Sequence, residues 1–222
     1  MKLKRYIPLL LIVLCCYTGF AQKEEHAFAA DIRTFKTIDS ITPPPENPVL
    51  FVGSSSFTMW KDVQLSFPEY TILNRGFGGS TLNDVIFYTD VIVFPYKPKQ
   101  VVIYCGENDF ASSDSITPAI VNSRFVQLFE LIREKMPDVK ITYVSMKPCP
   151  SRWHLSTKFI QSNEYIRNFL KKQPNTSFVD VWNKMLDKKG QPIKSIFLED
   201  QLHMNQDGYK IWEEAIKPHL IK

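Results

Sequence analysis

Several features that mark special protein classes are missing from this chain of 222 residues. It has no internal repeat and no low-complexity segment, and it contains only four cysteines. The two cysteines beyond the N-terminal region, Cys105 and Cys149, form neither a metal-type pair nor a disulfide framework. We expect two buried free thiols there, with a bridge between them as the alternative. The apolar fraction of 44% and charged fraction of 23% are those of a globular protein, and the length suits one domain.

A long apolar run is also missing. The apolar run at residues 7–17 is well short of the roughly 20 residues that a membrane-spanning helix requires. Three basic side chains within residues 2–5 precede it and small residues up to Ala21 follow it, which is the order of a secretory signal peptide. We therefore expect cleavage near Ala21, export to the periplasm or the extracellular space, and no stable membrane insertion. Lipid attachment at Cys15 or Cys16 is the alternative.

A strong charge of one sign is missing as well. The formal net charge is +4, but without the three basic residues of the expected signal peptide 24 basic side chains face 23 acidic ones. No basic stripe remains that would attract a phosphate backbone. We therefore expect no nucleic-acid partner.

Short apolar runs are the main structural signal of the sequence. Continuous apolar runs of this length suit strands that are buried on both faces, and their alternation with helical patterns predicts a parallel sheet. The expected fold class is α/β, a three-layer α/β/α sandwich with a mostly parallel sheet of five strands. The predicted strands are 49–52, 71–74, 101–104, 141–144 and 177–181.

Helices are predicted before, between and after these strands. Residues 27–40 carry apolar side chains at helical spacing, namely Phe28, Ile32, Phe35 and Ile38, and the proline-rich segment that follows ends the helix. Later helices are expected to begin at Thr117–Pro118, near Ser156 and near Asn205. We accordingly divide the chain into a signal peptide at 1–21, an N-terminal helix and proline-rich linker at 22–48, and a main domain at 49–222.

Polar residues that could take part in catalysis or ligand binding follow the first three predicted strands. In open α/β sheets, ligands bind outside the carboxyl ends of the strands. Ser55 follows the first strand, and its hydroxyl is a candidate nucleophile; taken alone, it is better explained as part of a polar loop in which serine caps a helix. Gly79 belongs to a glycine-rich loop after the second strand, where backbone N–H groups can approach a ligand closely. Asn108 follows the third strand and offers a side-chain amide as a donor.

Two further segments complete the candidate site. Asp200 and His203 are three residues apart before the last predicted helix, so the carboxylate can hold Nδ1–H of the imidazole and leave Nε2 free to accept a proton. Trp153 and His154, in the loop after the fourth strand, are candidates for a substrate pocket. An ordinary exposed histidine is the alternative for His154, and Trp60 is expected in the core.

Taken together, these residues resemble the SGNH (also called GDSL) hydrolase family. Its motif blocks occur in the same chain order here, with the nucleophile in Gly53-Ser54-Ser55, an oxyanion glycine at Gly79 and an oxyanion asparagine at Asn108. The terminal Asp-x-x-His of the family corresponds to the pair Asp200 and His203. One departure is that Ser54 stands where relatives carry an acidic residue.

The resemblance implies a serine esterase that requires no metal or organic cofactor. Ser55, His203 and Asp200 would be catalytic, and the N–H groups of Ser55 and Gly79 with the Asn108 amide would form the oxyanion hole. The family includes carbohydrate deacetylases, lipases and thioesterases, among which the fold does not select. Expected export and the absence of a long apolar lid favour a short acyl group, such as acetyl, on a small-molecule or glycan ester. A lipid or lysophospholipid esterase, a thioesterase and a non-catalytic glycan-binding relative are the alternatives, and the oligomeric state is left open.

Overall fold

The computed structural model of the protein describes residues 25–222, so the expected signal peptide lies outside the described residues. Within that range, each helix is too short or too polar to span a bilayer. The helices are α1 (Ala29–Ile41), α2 (Ser55–Thr58), α3 (Val63–Ser66), α4 (Leu82–Ile92), α5 (Glu107–Ser112), α6 (Pro118–Lys135), α7 (Ser156–Leu170) and α8 (Gln206–Ile216). The strands are β1 (Val49–Gly53), β2 (Ile72–Gly76), β3 (Gln100–Tyr104), β4 (Lys140–Val144) and β5 (Thr176–Val179).

The five strands form one sheet in the order β2-β1-β3-β4-β5, and every neighbouring pair is parallel. The predicted fold class is therefore confirmed. The predicted ends of two strands are displaced. β2 continues to Gly76 because the backbone ladder to β1 persists through the polar Asn74 and Arg75. β5 ends at Val179 because the Asp180 carboxylate accepts a hydrogen bond from the Trp182 N–H at 3.0 Å, which turns the chain.

Each face of the sheet carries its own apolar core, because alternate strand residues point to opposite sides. Leu50 and Val52 of β1 belong to the larger core, with side chains of α4, α6 and α7. Val49 and Phe51 belong to the other core, with side chains of α2, α3 and α8. The architecture is thus three layers, with the sheet in the middle.

Helix α1 packs beside α4 on the larger core, but its apolar stripe is shorter than predicted. Ile32 is buried in the core, whereas Ile38 is 49% exposed. The cause is the neighbouring Asp39, which accepts a hydrogen bond from the Tyr96 hydroxyl at 2.6 Å and pairs with Arg75. Since adjacent residues point about 100° apart around a helix, this inward turn of Asp39 directs Ile38 to solvent.

Candidate active site

The end of β1 determines where Ser55 lies. Gly53 has φ of 137°, and a Cβ added there would lie 1.9 Å from the Tyr104 carbonyl oxygen, so only glycine fits this approach. The Ser54 N–H donates to that same oxygen at 3.0 Å. The chain then turns, and α2 begins at Ser55. Ser54 and Ser56 are only 3% and 1% exposed, whereas Ser55 reaches solvent. Of the three adjacent serines, Ser55 alone is accessible to a ligand.

The structure brings Ser55, His203 and Asp200 together. Ser55 Oγ lies 3.0 Å from His203 Nε2, across 148 positions of sequence. His203 Nδ1 lies 2.5 Å from Asp200 Oδ2. This is the mutual geometry of a nucleophile, a base and a group that orients the base.

A tight turn holds Asp200 against the imidazole. Asp200 Oδ1 accepts hydrogen bonds from the Leu202 and His203 N–H groups, each at 2.9 Å. Partial burial opposes ionisation of Asp200, but these N–H groups and the His203 ring outweigh it and lower the pKa of the carboxyl to about 2. An ionised carboxylate can only accept, so Nδ1 carries the proton of neutral His203. Nε2 is then the lone pair that accepts from the Ser55 hydroxyl.

The turn does not follow directly from a strand, unlike the loops of the other site residues. It lies in the irregular stretch between β5 and α8 and is closed by an isolated antiparallel bridge between Phe197 and Met204. Within the bridge, the Leu198 N–H donates to the His203 carbonyl oxygen at 2.8 Å. Asn205 then caps α8, as its side chain accepts from the Asp207 N–H at 3.0 Å.

The glycine-rich loop lies beside Ser55. A Cβ added to Gly78 would come 3.9 Å from Ser55 Cβ, and Gly79 follows with φ of 86°. Among the described residues, the N–H groups of Ser55 and Gly79 donate to no other group. Asn108 joins the same side, since its Nδ2 donates to the carbonyl oxygen of Ser80 at 3.0 Å. Backbone and amide donors are thus gathered around the glycine-rich loop that lies beside Ser55.

A cluster of charged residues next to Asn108 was not among the site residues predicted from the sequence. Arg152 Nη1 donates to Asn108 Oδ1 at 3.0 Å. Glu107 lies 3.8 Å from Arg152 and accepts from the buried Lys147 Nζ at 3.0 Å and from the Tyr104 hydroxyl. Burial and the Glu107 carboxylate raise the pKa of Tyr104 well above its usual value. The available signal was position, since Lys147 and Arg152 follow β4 at the edge where the other site residues gather.

Asp109 anchors the short helix α5, which carries Asn108. Its carboxylate is fully buried, accepts from the Leu82 N–H at 2.9 Å and pairs with Arg124 at 2.7 Å. Burial raises the pKa of Asp109, and the bonds from Arg124 and Leu82 offset part of that rise. Helix α5 is thereby tied to the first turn of α4.

The two predicted pocket residues differ in environment. Trp153 lines a cavity of about 550 Å³ with Asp187, Gln191 and Lys194, and its ring stacks on Trp182 at 5.9 Å. His154 is exposed and is not among the residues that line this cavity, which is the environment of the alternative, an ordinary exposed histidine; its place in a substrate pocket stays a prediction. Both residues lie in the 3-10 helix at Pro150–Leu155, in which successive side chains point about 120° apart.

Other aromatic and sulfur groups are core residues. Trp60 is buried, as expected, and packs edge-on against Phe51 and Trp212. Cys105 and Cys149 are buried and unbonded, and burial raises the pKa of both thiols.

The chain matches the GDSL-like lipase/acylhydrolase family over residues 39–211. A GDSL-like lipase from Bacteroides thetaiotaomicron has a TM-score of 0.73 and 22% identity, with 86% of this chain and 97% of that chain covered. The lipase/acylhydrolase from Enterococcus faecalis has a TM-score of 0.62 and 22% identity, covering 78% and 97%.

A variant of an acetyl-xylooligosaccharide esterase from Geobacillus has a TM-score of 0.61 and 17% identity, with 81% of this chain and 97% of that chain covered. At such identities the solved structures establish a shared fold. No curated protein matches the chain. The family match spans most of the chain and includes Ser55, Gly79, Asn108, Asp200 and His203. The chain therefore belongs to the GDSL-like lipase/acylhydrolase family.

Proposed function

We propose that this protein is an exported serine esterase that removes a short acyl group, acetyl first of all, from a carbohydrate or similar polar substrate. The observation that carries the proposal is the contact chain from Ser55 through His203 to Asp200, with distances of 3.0 and 2.5 Å. A serine hydroxyl is a weak nucleophile unless a base takes its proton as it attacks. His203 has the geometry and, through Asp200, the tautomer for that task.

Acylation follows from this geometry. His203 Nε2 takes the hydroxyl proton as Ser55 Oγ forms a bond to the ester carbonyl carbon, and the carbonyl electrons move onto oxygen. The resulting oxyanion is stabilised by the N–H groups of Ser55 and Gly79 and by the Asn108 amide. When the tetrahedral intermediate collapses, the alcohol leaves with the proton from His203 and the acyl group stays on Ser55.

Deacylation repeats these steps with water. His203 takes a proton from water as its oxygen attacks the acyl carbon, and the same donors hold the second oxyanion. Collapse of this intermediate releases the carboxylic acid and returns the proton to Ser55. Asp200 stabilises the imidazolium that forms in each half of the reaction.

The cavity at Trp153 supports a carbohydrate as the alcohol part of the ester. The lining combines the indole and three apolar residues with a carboxylate, an amide and an ammonium group, so it can stack on a sugar ring and bind its hydroxyls. The cavity belongs to the loop that includes Arg152, the hydrogen-bond partner of Asn108. The acetyl-xylooligosaccharide esterase of similar fold also supports an acetylated glycan.

A lipid or lysophospholipid esterase is the second candidate. A groove of about 540 Å³ is formed by the segment after Ser55 and by residues on both sides of the Asp200–His203 turn. Its lining includes Met59, Trp60, Leu198 and Tyr209 among polar and charged side chains. Met59 and Leu198 are exposed apolar side chains there, which favours a longer acyl chain. This candidate predicts faster hydrolysis of long-chain esters and stimulation by micelles.

A substrate panel separates these functions. Acetylated glycans and 4-nitrophenyl esters of increasing acyl length are assayed with wild type, Ser55→Ala and Ser54→Ala. Ser54 lies in the same loop and is the matched control, because its hydroxyl does not contact His203. We expect acetyl esters to be preferred, Ser54→Ala to retain turnover and Ser55→Ala to lose it together with fluorophosphonate labelling. Turnover that is independent of Ser55 refutes the esterase, whereas a preference for long chains selects the lipid substrate.

Export is tested separately, by fractionating cells that express the chain from Met1. Periplasmic or medium fractions of an expressing bacterial host should contain a chain that starts at Gln22. A chain that keeps Met1 and stays in the cytoplasm would contradict export and leave the catalytic proposal unaffected.

A further inference from the structure

Both ends of the Asn108 amide are engaged. Nδ2 donates one of its two hydrogens to the Ser80 carbonyl oxygen, and Oδ1 accepts from Arg152 Nη1, both at 3.0 Å. A flipped amide would direct Oδ1 at the Ser80 oxygen, so the Ser80 contact is sufficient to determine which way the amide faces. Arg152 therefore adds something other than orientation, and the second Nδ2 hydrogen is left for a ligand.

Arg152 carries a positive charge that its surroundings only partly balance. Its side chain is 18% exposed, so solvent screens it little. The nearest carboxylate is Glu107 at 3.8 Å, but Glu107 already pairs at 3.0 Å with Lys147, which is 1% exposed. The other buried carboxylate nearby, Asp109, pairs with Arg124. Within the described residues this cluster thus holds two cations and one carboxylate, and the surplus charge lies next to Asn108.

The loop that carries Arg152 is also tied to the acid-base turn. Arg152 lies in a 3-10 helix at Pro150–Leu155, and the neighbouring Ser151 N–H donates to the Gln201 carbonyl oxygen at 3.1 Å. Gln201 stands between Asp200 and His203. Arg152 therefore connects the asparagine of the oxyanion side with the turn that holds the base.

We propose that Arg152 is a positioning residue that polarises the Asn108 amide and so makes it a stronger donor to the oxyanion. When a cation binds the oxygen of an amide, electron density moves toward that oxygen and the amide N–H becomes a stronger donor. This strengthening of the hydrogen bond from the Asn108 amide is largest when the ligand oxygen is fully charged. Arg152 therefore stabilises the transition state more than the bound ester. The inference rests on the proposed esterase function of this site.

The test is a double-mutant cycle on 4-nitrophenyl acetate, with wild type, Arg152→Met, Asn108→Ala and the double variant. Arg152→Met should lower kcat by about 10- to 100-fold, the range of hydrogen bonds to charged groups, and change KM little. In the Asn108→Ala background the same substitution should change kcat less than twofold, because the group through which Arg152 acts is gone. Arg152→Lys should restore part of the loss, since lysine keeps the charge but not the planar fork.

Arg167→Met is the matched control, because Arg167 also forms an ion pair, with Asp180 at 2.6 Å, but on α7 outside the site. Its kcat should equal that of wild type. Unaltered kcat in Arg152→Met, or an equal loss with and without Asn108, overturns the inference while the esterase stands. If Arg152→Met does not fold, Arg152→Lys is compared in the wild-type and Asn108→Ala backgrounds. An unaltered kcat, or an equal loss in both backgrounds, then overturns the inference in the same way. A wild type without Ser55-dependent turnover overturns the esterase and the inference together.

Discussion

The turn that presents Ser55 depends on the missing side chain at Gly53. We predict that Gly53→Ala destabilises the fold and displaces the serine. A Cβ there would lie 1.9 Å from the Tyr104 carbonyl oxygen, and the backbone φ of 137° disfavours any L side chain. Because Tyr104 is the last residue of the neighbouring strand β3, the contact can be relieved only by moving backbone at the centre of the sheet.

The cost has two parts. Backbone strain at such φ values contributes about 1–3 kcal/mol. Overpacking against a rigid neighbour contributes about another 1–3 kcal/mol. Their sum is a large part of the roughly 5–15 kcal/mol by which native domains are stable. At about 2–4 °C for each kcal/mol in a chain of this size, Tm should fall by about 10 °C.

Gly190→Ala separates the two parts. Gly190 has φ of 72°, so alanine there carries backbone strain, but no atom lies within 4 Å of the added Cβ. The control should therefore lose only about 1–2 kcal/mol. Thermal and urea unfolding of both variants, with turnover of 4-nitrophenyl acetate, give the comparison. Equal losses of stability, or full activity in Gly53→Ala, would refute the reasoning that the approach to Tyr104 determines the turn.

Three further predictions concern the site. Asn108→Ala should lower kcat by about 10²–10³-fold and leave KM nearly constant, because it removes one oxyanion donor. Steady-state kinetics that show a change in KM alone would contradict this. The pKa of Asp200, about 2, lies below its ordinary 3.8, so its ionised form stabilises the fold above about pH 4, and that contribution is lost as the pH falls through 2. The urea midpoint of Asp200→Asn should accordingly fall less between about pH 5 and pH 3 than that of wild type, and parallel curves would be inconsistent with the low pKa. Trp153→Ala should raise KM for an acetylated glycan and leave KM for 4-nitrophenyl acetate unchanged, and an equal effect on both would remove Trp153 from the sugar site.

Much of the fold could be read from apolar runs. Strands covered on both faces must be apolar throughout, so all five runs correspond to strands of the observed sheet. The ends of β2 and β5 could not be read in this way. Where a ladder stops depends on the neighbouring strand and on local contacts, such as the bond from the Trp182 N–H to Asp180.

The convergence of Ser55, Gly79 and Asn108 was also within reach of the sequence. All three follow strands, and the carboxyl ends of parallel strands meet at one edge of a sheet. The Asp200–His203 pair was predictable for a different reason, because a spacing of three residues lets one turn join the side chains. The pair lies in the irregular stretch between β5 and α8, so the rule of strand ends that applies to the other three residues does not predict its position.

Sequence by itself determined the strands, the family and the residues of the candidate triad, because these follow from local pattern, spacing and chain order. Tertiary structure alone decided which side chains surround the predicted site residues. Arg152 reaches Asn108 over 44 positions, and no local pattern encodes that contact. The same holds for Trp153, which lines a cavity, and for its neighbour His154, which faces solvent. Such choices depend on how the loops pack above the sheet, where distant segments compete for the same space.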